Sequence, residues 1–191
     1  SSFSDMSNNF ITMHAACENK LFEISENELY RLINNTSYCI AQDEIRPILT
    51  GINFQRNKVC ALDGFRLALA ETDKFYMDNS ITLPGNLTKL LLKILNKKSE
   101  NAVQAYTDNE FQYIKIIIGD LIITAKLLEG EFIRYSSIIP KSNEDLLQIQ
   151  VNSNSLLKAL KSMSKLTLSA KEKVTFTITD DKLNIKKINE I

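Results

Sequence analysis

Two segments of the chain, 127 positions apart, carry the same pattern, and a chain that repeats itself at such a spacing folds as successive copies of one structural unit. Residues 22–33 (Phe-Glu-Ile-Ser-Glu-Asn-Glu-Leu-Tyr-Arg-Leu-Ile) and 149–160 (Ile-Gln-Val-Asn-Ser-Asn-Ser-Leu-Leu-Lys-Ala-Leu) both read as a short strand feeding a helix. Leu29 matches Leu156, Arg31 matches Lys158 and Ile33 matches Leu160. The hairpin Phe54 to Val59 has a counterpart from Thr177 to Leu183, and Phe3-Ser4-Asp5-Met6 echoes Phe132-Ile133-Arg134-Tyr135. The expectation is three stretches: the tail of one unit over residues 1–20, a complete unit over 21–145, and the opening of a third over 146–191, cut in mid-sheet. Chance likeness between two strand–helix segments is the competing reading, because short apolar patterns recur freely.

The complete unit is itself twofold. A strand over Leu21–Ile24 leads into a helix that Ser25 caps, with Glu28 at the capping-box position, and that runs to about Ile40. Leu29, Leu32, Ile33 and Thr36 form its apolar stripe. Strands follow at Gly51–Gln55, Lys58–Leu62 and Arg66–Thr72, joined by turns at Arg56-Asn57 and Asp63-Gly64. Ile81–Leu83 is a strand again, and Pro84 sits in the first turn of a second helix. Asn101–Tyr106, Phe111–Ile118 and Leu121–Leu128 complete the sheet, with turns at Asp108-Asn109 and Gly119-Asp120. Strand, helix, three strands, repeated, gives an α+β domain with two helices on one face of antiparallel sheet.

Charge matters here by its arrangement. Lysine and arginine (23) balance aspartate and glutamate (23), so no overall basic excess argues for direct nucleic-acid binding. On the second helix Leu87, Leu90, Leu91, Ile94 and Leu95 form the inward stripe, while Lys89, Lys93 and Lys97 share the opposite face. In the third unit Leu156, Leu157, Leu160 and Met163 face inward and Lys158, Lys161 and Lys165 line the outside. Lysines often do no more than solvate a helix face. Two lysine-only faces in successive repeats also suit attraction of phosphates without reading of bases. The first helix departs from this pattern, setting Glu26 and Glu28 against Arg31 alone.

Catalytic chemistry has little to work with. His14 is the one histidine, with nothing around it that builds a nucleophile system. Cys17, Cys39 and Cys60 are widely spaced and form no CxxC pair, so they read as reduced, mostly buried thiols of a cytosolic protein, and no zinc site is expected. Asp43-Glu44 and Asp180-Asp181 read as solvated pairs at a helix end and a turn. No phosphate-binding glycine motif occurs, no cofactor is implied, and Lys115, Asp120 and Lys126 interrupt the longest apolar stretch well short of the roughly 18 residues of a membrane span. An enzyme is not expected; a hydrolase on an unrelated α+β fold would need a catalytic cluster.

The stretch from 40 to 72 contains Ile40-Ala41-Gln42, Arg46-Pro47-Ile48-Leu49-Thr50-Gly51 and Ala61-Leu62-Asp63-Gly64-Phe65-Arg66-Leu67-Ala68. It resembles the middle domain of the bacterial DNA polymerase III beta subunit family, the replicative sliding clamps. Gly119-Asp120, Lys126-Leu127-Leu128-Glu129-Gly130-Glu131-Phe132 and Ile139-Pro140 resemble that family's domain-closing run. The likeness spans about residues 20–191 in matching order and spacing. It implies the DNA-clamp fold, a homodimeric ring around duplex DNA with helices lining the hole, and no catalysis. It also implies a cytoplasmic processivity factor whose partners are the DNA polymerase III alpha subunit, the clamp loader and other proteins with clamp-binding peptides.

Carried over by position, the resemblance places a partner-peptide pocket at Leu49, Leu62, Gly64, Phe65, Arg66 and Leu67, with Ile133, Ser137 and Ile138. Leu49, Leu62, Leu67 and Ile138 would give an apolar floor and Arg66 a polar rim. The family often has threonine at the Leu62 position, histidine at the Phe65 position and proline at the Ile133 position, so this pocket is greasier and bulkier. Arg31, Lys89, Lys93, Lys97, Lys158, Lys161 and Lys165 would face DNA, although Gly85 and Asn86 stand where the family's basic residues are common. The 191-residue chain by itself is expected to be monomeric and, unable to encircle DNA, to bind it negligibly at physiological salt. The alternative is a non-enzymatic nucleic-acid-binding module of clamp-like fold, which predicts tight, salt-sensitive binding.

Overall fold

A computed structural model of the chain describes residues 17–43, 45–139, 149–165, 173–179 and 182–188. They fall in two compact units divided between Ser136 and Ser137. The first unit runs β1 (Asn19–Ser25), α1 (Glu26–Asn34), β2 (Gly51–Arg56), β3 (Lys58–Leu62), β4 (Leu67–Glu71), β5 (Met77–Pro84), α2 (Gly85–Ile94), β6 (Ala102–Thr107), β7 (Tyr113–Ile118) and β8 (Leu121–Lys126). This is strand, helix, three strands, twice over, in an α+β arrangement. The halves exchange their leading strands. β1 pairs antiparallel with β6 to give the order β1-β6-β7-β8, and β5 pairs antiparallel with β2 to give β4-β3-β2-β5.

Alternate residues of both sheets enter one core, as the two-residue strand period requires: Phe22 and Ile24, Ile52 and Phe54, Val59 and Ala61, Val103 and Ala105, Ile114 and Ile116. Phe22, Phe54 and Phe75 stack at its centre, with ring centroids 5.9, 5.1 and 6.2 Å apart. Leu29, Leu32 and Ile33 of α1 and Leu87 and Leu91 of α2 close the core, each contributing about 1.5–3 kcal/mol by leaving water. Asn53 is buried in β2, and its Nδ2 donates to Ser80 Oγ, Ile81 O and Thr82 Oγ1 across to β5, which satisfies the amide's donors.

Several sequence expectations are corrected. Helix α1 ends at Asn34, not near Ile40, and Ser37–Cys39 forms a separate 3-10 turn. Thr36 is buried with its hydroxyl donating back to Leu32 O at 2.8 Å, a local competitor for the helical backbone. No capping box forms. The first amides of α1, on Glu26 and Asn27, instead donate to Asn101 O and Ser99 O at 2.9 and 3.0 Å. Pro84 precedes α2 as its N-cap residue. Leu90 is 43% exposed, and Thr88 takes the buried place beside Leu87 and Leu91. Lys97 lies beyond the helix. The buried carboxylate of Glu26 accepts Asn96 N–H at 2.9 Å and the Ser99 hydroxyl at 2.8 Å, turning the chain away after Leu95.

The second unit has α3 (Ser153–Lys165) and an antiparallel hairpin of β9 (Lys173–Thr179) and β10 (Lys182–Ile188). α3 begins 127 residues after α1, the spacing of the repeat. Leu156, Leu157, Leu160 and Met163 do not form a buried face. Leu157 is 50% and Leu160 36% exposed, while Leu156 and Met163 are half-buried. A two-stranded hairpin is too small to cover a stripe on a helix of this length. The segment 3–6, His14, Glu44, Pro140, the expected boundary at 145, and Asp180-Asp181 lie outside the described residues.

Candidate partner-docking site

The sheet β4-β3-β2-β5 is apolar on both faces at β3 and β4. Val59, Ala61, Ala68 and Ala70 point into the main core, whereas Cys60, Leu62, Leu67 and Leu69 point outward. There they meet Ala41, Ile48 and Leu49 from the loop after α1, and Phe132, Ile133 and Tyr135 from the segment after β8, in a second apolar cluster. An amide bond from Ala41 N–H to Leu49 O, 3.0 Å, closes the loop that carries Leu49.

Four residues of the sequence-derived pocket thus come together here: Leu49, Leu62, Leu67 and Ile133. Their roles differ from the expected open floor. Leu49 and Leu62 are 4% and 5% exposed, closed off inside the unit, and Leu67 and Ile133 are half-buried at its surface. Ser137 and Ile138 are exposed and fall in the second unit. Sequence reasoning missed Cys60, Leu69 and Tyr135 as members of the cluster. The signal for Cys60 and Leu69 was available: apolar residues at every position of Val59-Cys60-Ala61-Leu62 and Leu67-Ala68-Leu69-Ala70 mark strands buried on both faces. Burial, and secondarily Cys39, pushes the Cys60 thiol up to about 12, so it sits there as a neutral apolar group. Burial likewise raises Tyr135.

The turn from β3 to β4 presents Gly64, Phe65 and Arg66. Asp63 organises it. Its Oδ1 accepts Phe65 N–H at 3.0 Å and Arg66 N–H at 2.8 Å, and its own N–H donates to Arg66 O at 3.2 Å. Arg66 returns through Nε (2.9 Å) and Nη2 (2.6 Å) to Asp63 Oδ2. Burial opposes ionisation of Asp63, but the bonds from Arg66 and Phe65 outweigh it and hold its carboxyl below the usual range. Gly64 has φ +87°, a left-handed backbone that favours glycine. The result is a fixed turn with a neutralised arginine and a phenylalanine 98% exposed.

The cations expected to face DNA are of two kinds. Arg31 is committed within the fold: Nε and Nη2 each reach the Glu28 carboxylate at 2.6 Å, and Nη2 also donates to Glu71 O at 2.9 Å. Lys89, Lys93 and Lys97 are exposed, and no carboxylate among the described residues lies within ion-pair distance of them. Lys158, Lys161 and Lys165 are exposed on the second unit's helix. Among the described residues no cluster of His, Cys, Asp or Glu could hold a metal ion, and no helix is long and apolar enough to cross a membrane.

Residues 23–133 match the family model of the DNA polymerase III beta subunit, central domain. The chain is 26% identical over 175 residues to the beta sliding clamp of Haemophilus influenzae, covering 88% of this chain and 46% of that protein. It is 31% identical over 148 residues to the beta sliding clamp of Buchnera aphidicola, covering 72% and 39%. The chain therefore spans less than half the length of these curated relatives. Among solved structures the Caulobacter crescentus beta sliding clamp superposes with a TM-score of 0.78 at 20% identity, over 92% of this chain and 48% of that one, a likeness of fold.

Proposed function

Since the chain belongs to the DNA polymerase III beta subunit family, we propose that it is a section of a sliding-clamp subunit, with residues 21–145 as the middle clamp domain. Residues 1–20 would be the tail of the first domain and 146–191 the opening of the third. The whole subunit would pair head to tail into a ring around duplex DNA, work in the cytoplasm and catalyse nothing itself. It would keep the polymerase on its template and receive the alpha subunit, the clamp loader and other partners through short peptides. The observation that carries this reading is the family match over 23–133, which takes in the Asp63–Arg66 turn and all of the second apolar cluster except Tyr135.

On this reading the docking surface of the first unit is Leu67, Phe65 and Ile133, backed by the buried Leu49 and Leu62, with Gly64 and Arg66 shaping the turn; the resemblance adds Ser137 and Ile138. Lys89, Lys93 and Lys97, with Lys158, Lys161 and Lys165, are the exposed charges that would meet phosphates without reading sequence. Arg31 would act mainly within the fold. The test loads the whole subunit onto a nicked circular plasmid with its clamp loader and then linearises the DNA. Release on cutting, with retention on the intact circle in moderate salt, is expected; equal retention on both would replace the ring with ordinary binding. The 191-residue chain is expected to be monomeric and to show negligible affinity for linear duplex at physiological salt.

A further inference from the structure

Of the five glycines only Gly64 follows an aspartate or asparagine, and an Asp-Gly step is where a backbone nitrogen most readily attacks the preceding side-chain carboxyl. No Cβ shields the Gly64 nitrogen, the residue is exposed, and a Cβ added there would meet nothing within 4 Å beyond its chain neighbours. The turn also brings the reacting groups together. Asp63 Oδ1 accepts the N–H groups of Phe65 and Arg66 at 3.0 and 2.8 Å, which folds the carboxyl back over the intervening Gly64 peptide as an Asx turn. Of the four amides from Asp63 to Arg66, that of Gly64 alone has no hydrogen-bond partner among the described residues. Its nitrogen is held near the carboxyl carbon and is not tied to another acceptor.

One side chain opposes this reaction. The carbon under attack has to belong to a neutral carboxyl, since an ionised carboxylate is a poor electrophile and a poor source of a leaving group. Arg66 favours the ionised form, with Nε and Nη2 reaching Asp63 Oδ2 at 2.9 and 2.6 Å. Burial works against the charge, but the bonds from Arg66 and Phe65 outweigh it and keep the carboxyl below the usual carboxylate range. The Asp63 side chain is 14% exposed and that of Arg66 58%, so the arginine can be truncated without opening the core.

We propose that Asp63-Gly64 is a site of spontaneous isoaspartate formation and that Arg66 is the positioning residue that holds the reaction back. Water is the one co-reactant. The Gly64 nitrogen bonds to Asp63 Cγ, its proton and the carboxyl hydroxyl leave as water, and a five-membered succinimide closes. Water then opens the ring in either of two places. Cleavage between Gly64 N and Cγ restores aspartate, whereas cleavage between Gly64 N and the Asp63 main-chain carbonyl carbon leaves isoaspartate. The main chain then runs through Cγ, so the oxygen that accepted from Phe65 and Arg66 no longer belongs to a side chain. The turn loses the bonds that fix it.

The test incubates the 191-residue chain in heavy-oxygen water at neutral pH, folded and in urea, and reads label at each aspartate by peptide mass spectrometry. Every ring opening leaves one heavy oxygen at residue 63 whichever product forms, so the label counts succinimide events and not stability. Asp73 and Asp78 are internal references. In urea Asp63 is expected to label faster than either reference, and folding should slow it severalfold. Folded Arg66→Ala should label Asp63 severalfold faster than the folded parent, Arg66→Lys should recover most of the protection, and all three should match in urea. Equal labelling of Asp63, Asp73 and Asp78 in urea would overturn the site. Folded Arg66→Ala at the parent's rate would overturn the part given to Arg66. Faster labelling of all three aspartates in folded Arg66→Ala would trace its effect to a loosened fold and overturn that part as well.

Discussion

The two halves of the first unit share one plan and use their outer surfaces differently. In the half built around β2, β3 and β4, the sheet is apolar on both faces and its outer side carries a second cluster. In the half built around β6, β7 and β8, the outer face carries polar contacts beside a half-exposed Ile117–Ile122 pair: Gln104 donates to Glu23 at 3.0 Å, and the Lys115 ammonium lies 5.2 Å from the Tyr106 ring centroid. The helices differ in the same complementary way. α1 carries Glu26, Glu28 and an Arg31 already tied down, whereas α2 carries lysines and no acid. A duplicated architecture has thus given one half a second apolar cluster on its outer sheet face and the other a helix whose lysines meet no carboxylate among the described residues. The shared interior keeps the two halves in register.

That interior is where the largest effect is expected. Phe54 belongs to the first half by sequence, yet it pairs across to β5 of the second and stacks with Phe22 and Phe75. Phe54→Ala should cost about 3–5 kcal/mol, as aromatic truncations in closed cores do. In urea, circular dichroism and tyrosine fluorescence should lose the two halves in one transition. Two separated transitions would show that the halves are independent bodies and that the exchange of leading strands does not couple them.

Next comes the joint between the helices. Glu26 sits at the start of α1 and accepts from Asn96 and Ser99 in the loop after α2. Glu26→Ala leaves that amide and hydroxyl without their acceptor in a buried place, a loss of about 1–3 kcal/mol. Glu26→Gln, which keeps one acceptor oxygen, should recover part of it. Equal stability of the alanine variant and the parent in urea would mean that water replaces the carboxylate and that the joint is ornamental.

Much of this was legible in the sequence and some was not, for physical reasons. The hairpin turns at Arg56-Asn57, Asp63-Gly64 and Gly119-Asp120 were readable because few residue types tolerate such backbones, and Gly64 and Gly119 indeed have positive φ. The α+β class followed from the strand and helix periods, and the apolar runs of β3 and β4 already spelled burial on both faces. The early end of α1 was not readable, since it turns on a back-bond from the Thr36 hydroxyl that many mid-helix threonines also make. Arg31 looked like a free cation because its tie to Glu71 O spans 40 residues. The end of α2 was hidden too, because the Asn96 amide just beyond it bonds Glu26, 70 residues upstream.

A smaller, pH-dependent effect would sharpen the contrast between the helices. The hydrogen bonds from Arg31 come first in holding Glu28 below the usual carboxylate range; burial opposes them and Thr72 assists. A group with a depressed folded value stabilises the fold fully above its unfolded value, about 4.3 for glutamate, and loses that contribution as pH falls through the folded value. The melting temperature of the parent should therefore exceed that of Glu28→Gln at neutral pH by a small margin, since Arg31 is partly exposed and well solvated. The gap should close below about pH 4. No equivalent closing gap should follow Lys89→Gln or Lys93→Gln, which have no acidic partner among the described residues to titrate.

The smallest effect on stability belongs to the lysines themselves, and it separates a surface shaped for folding from one shaped for DNA. Lys89 and Lys93 are exposed and pair with no carboxylate among the described residues, so Lys89→Glu with Lys93→Glu should shift unfolding free energy by no more than about 0.5 kcal/mol. On the loaded ring the same pair should speed escape from circular DNA as salt rises. If both lysines meet phosphates, neutralising them as Lys89→Gln and Lys93→Gln should make the slope of log affinity against log salt shallower by about 2. A matched pair of substitutions on α1, Asn27→Gln and Asn34→Gln, should leave that slope unchanged. Equal slopes for parent, α1 and α2 variants would assign the lysines to solvation alone, and the contrast between the two halves would then rest on the apolar cluster of the outer sheet face.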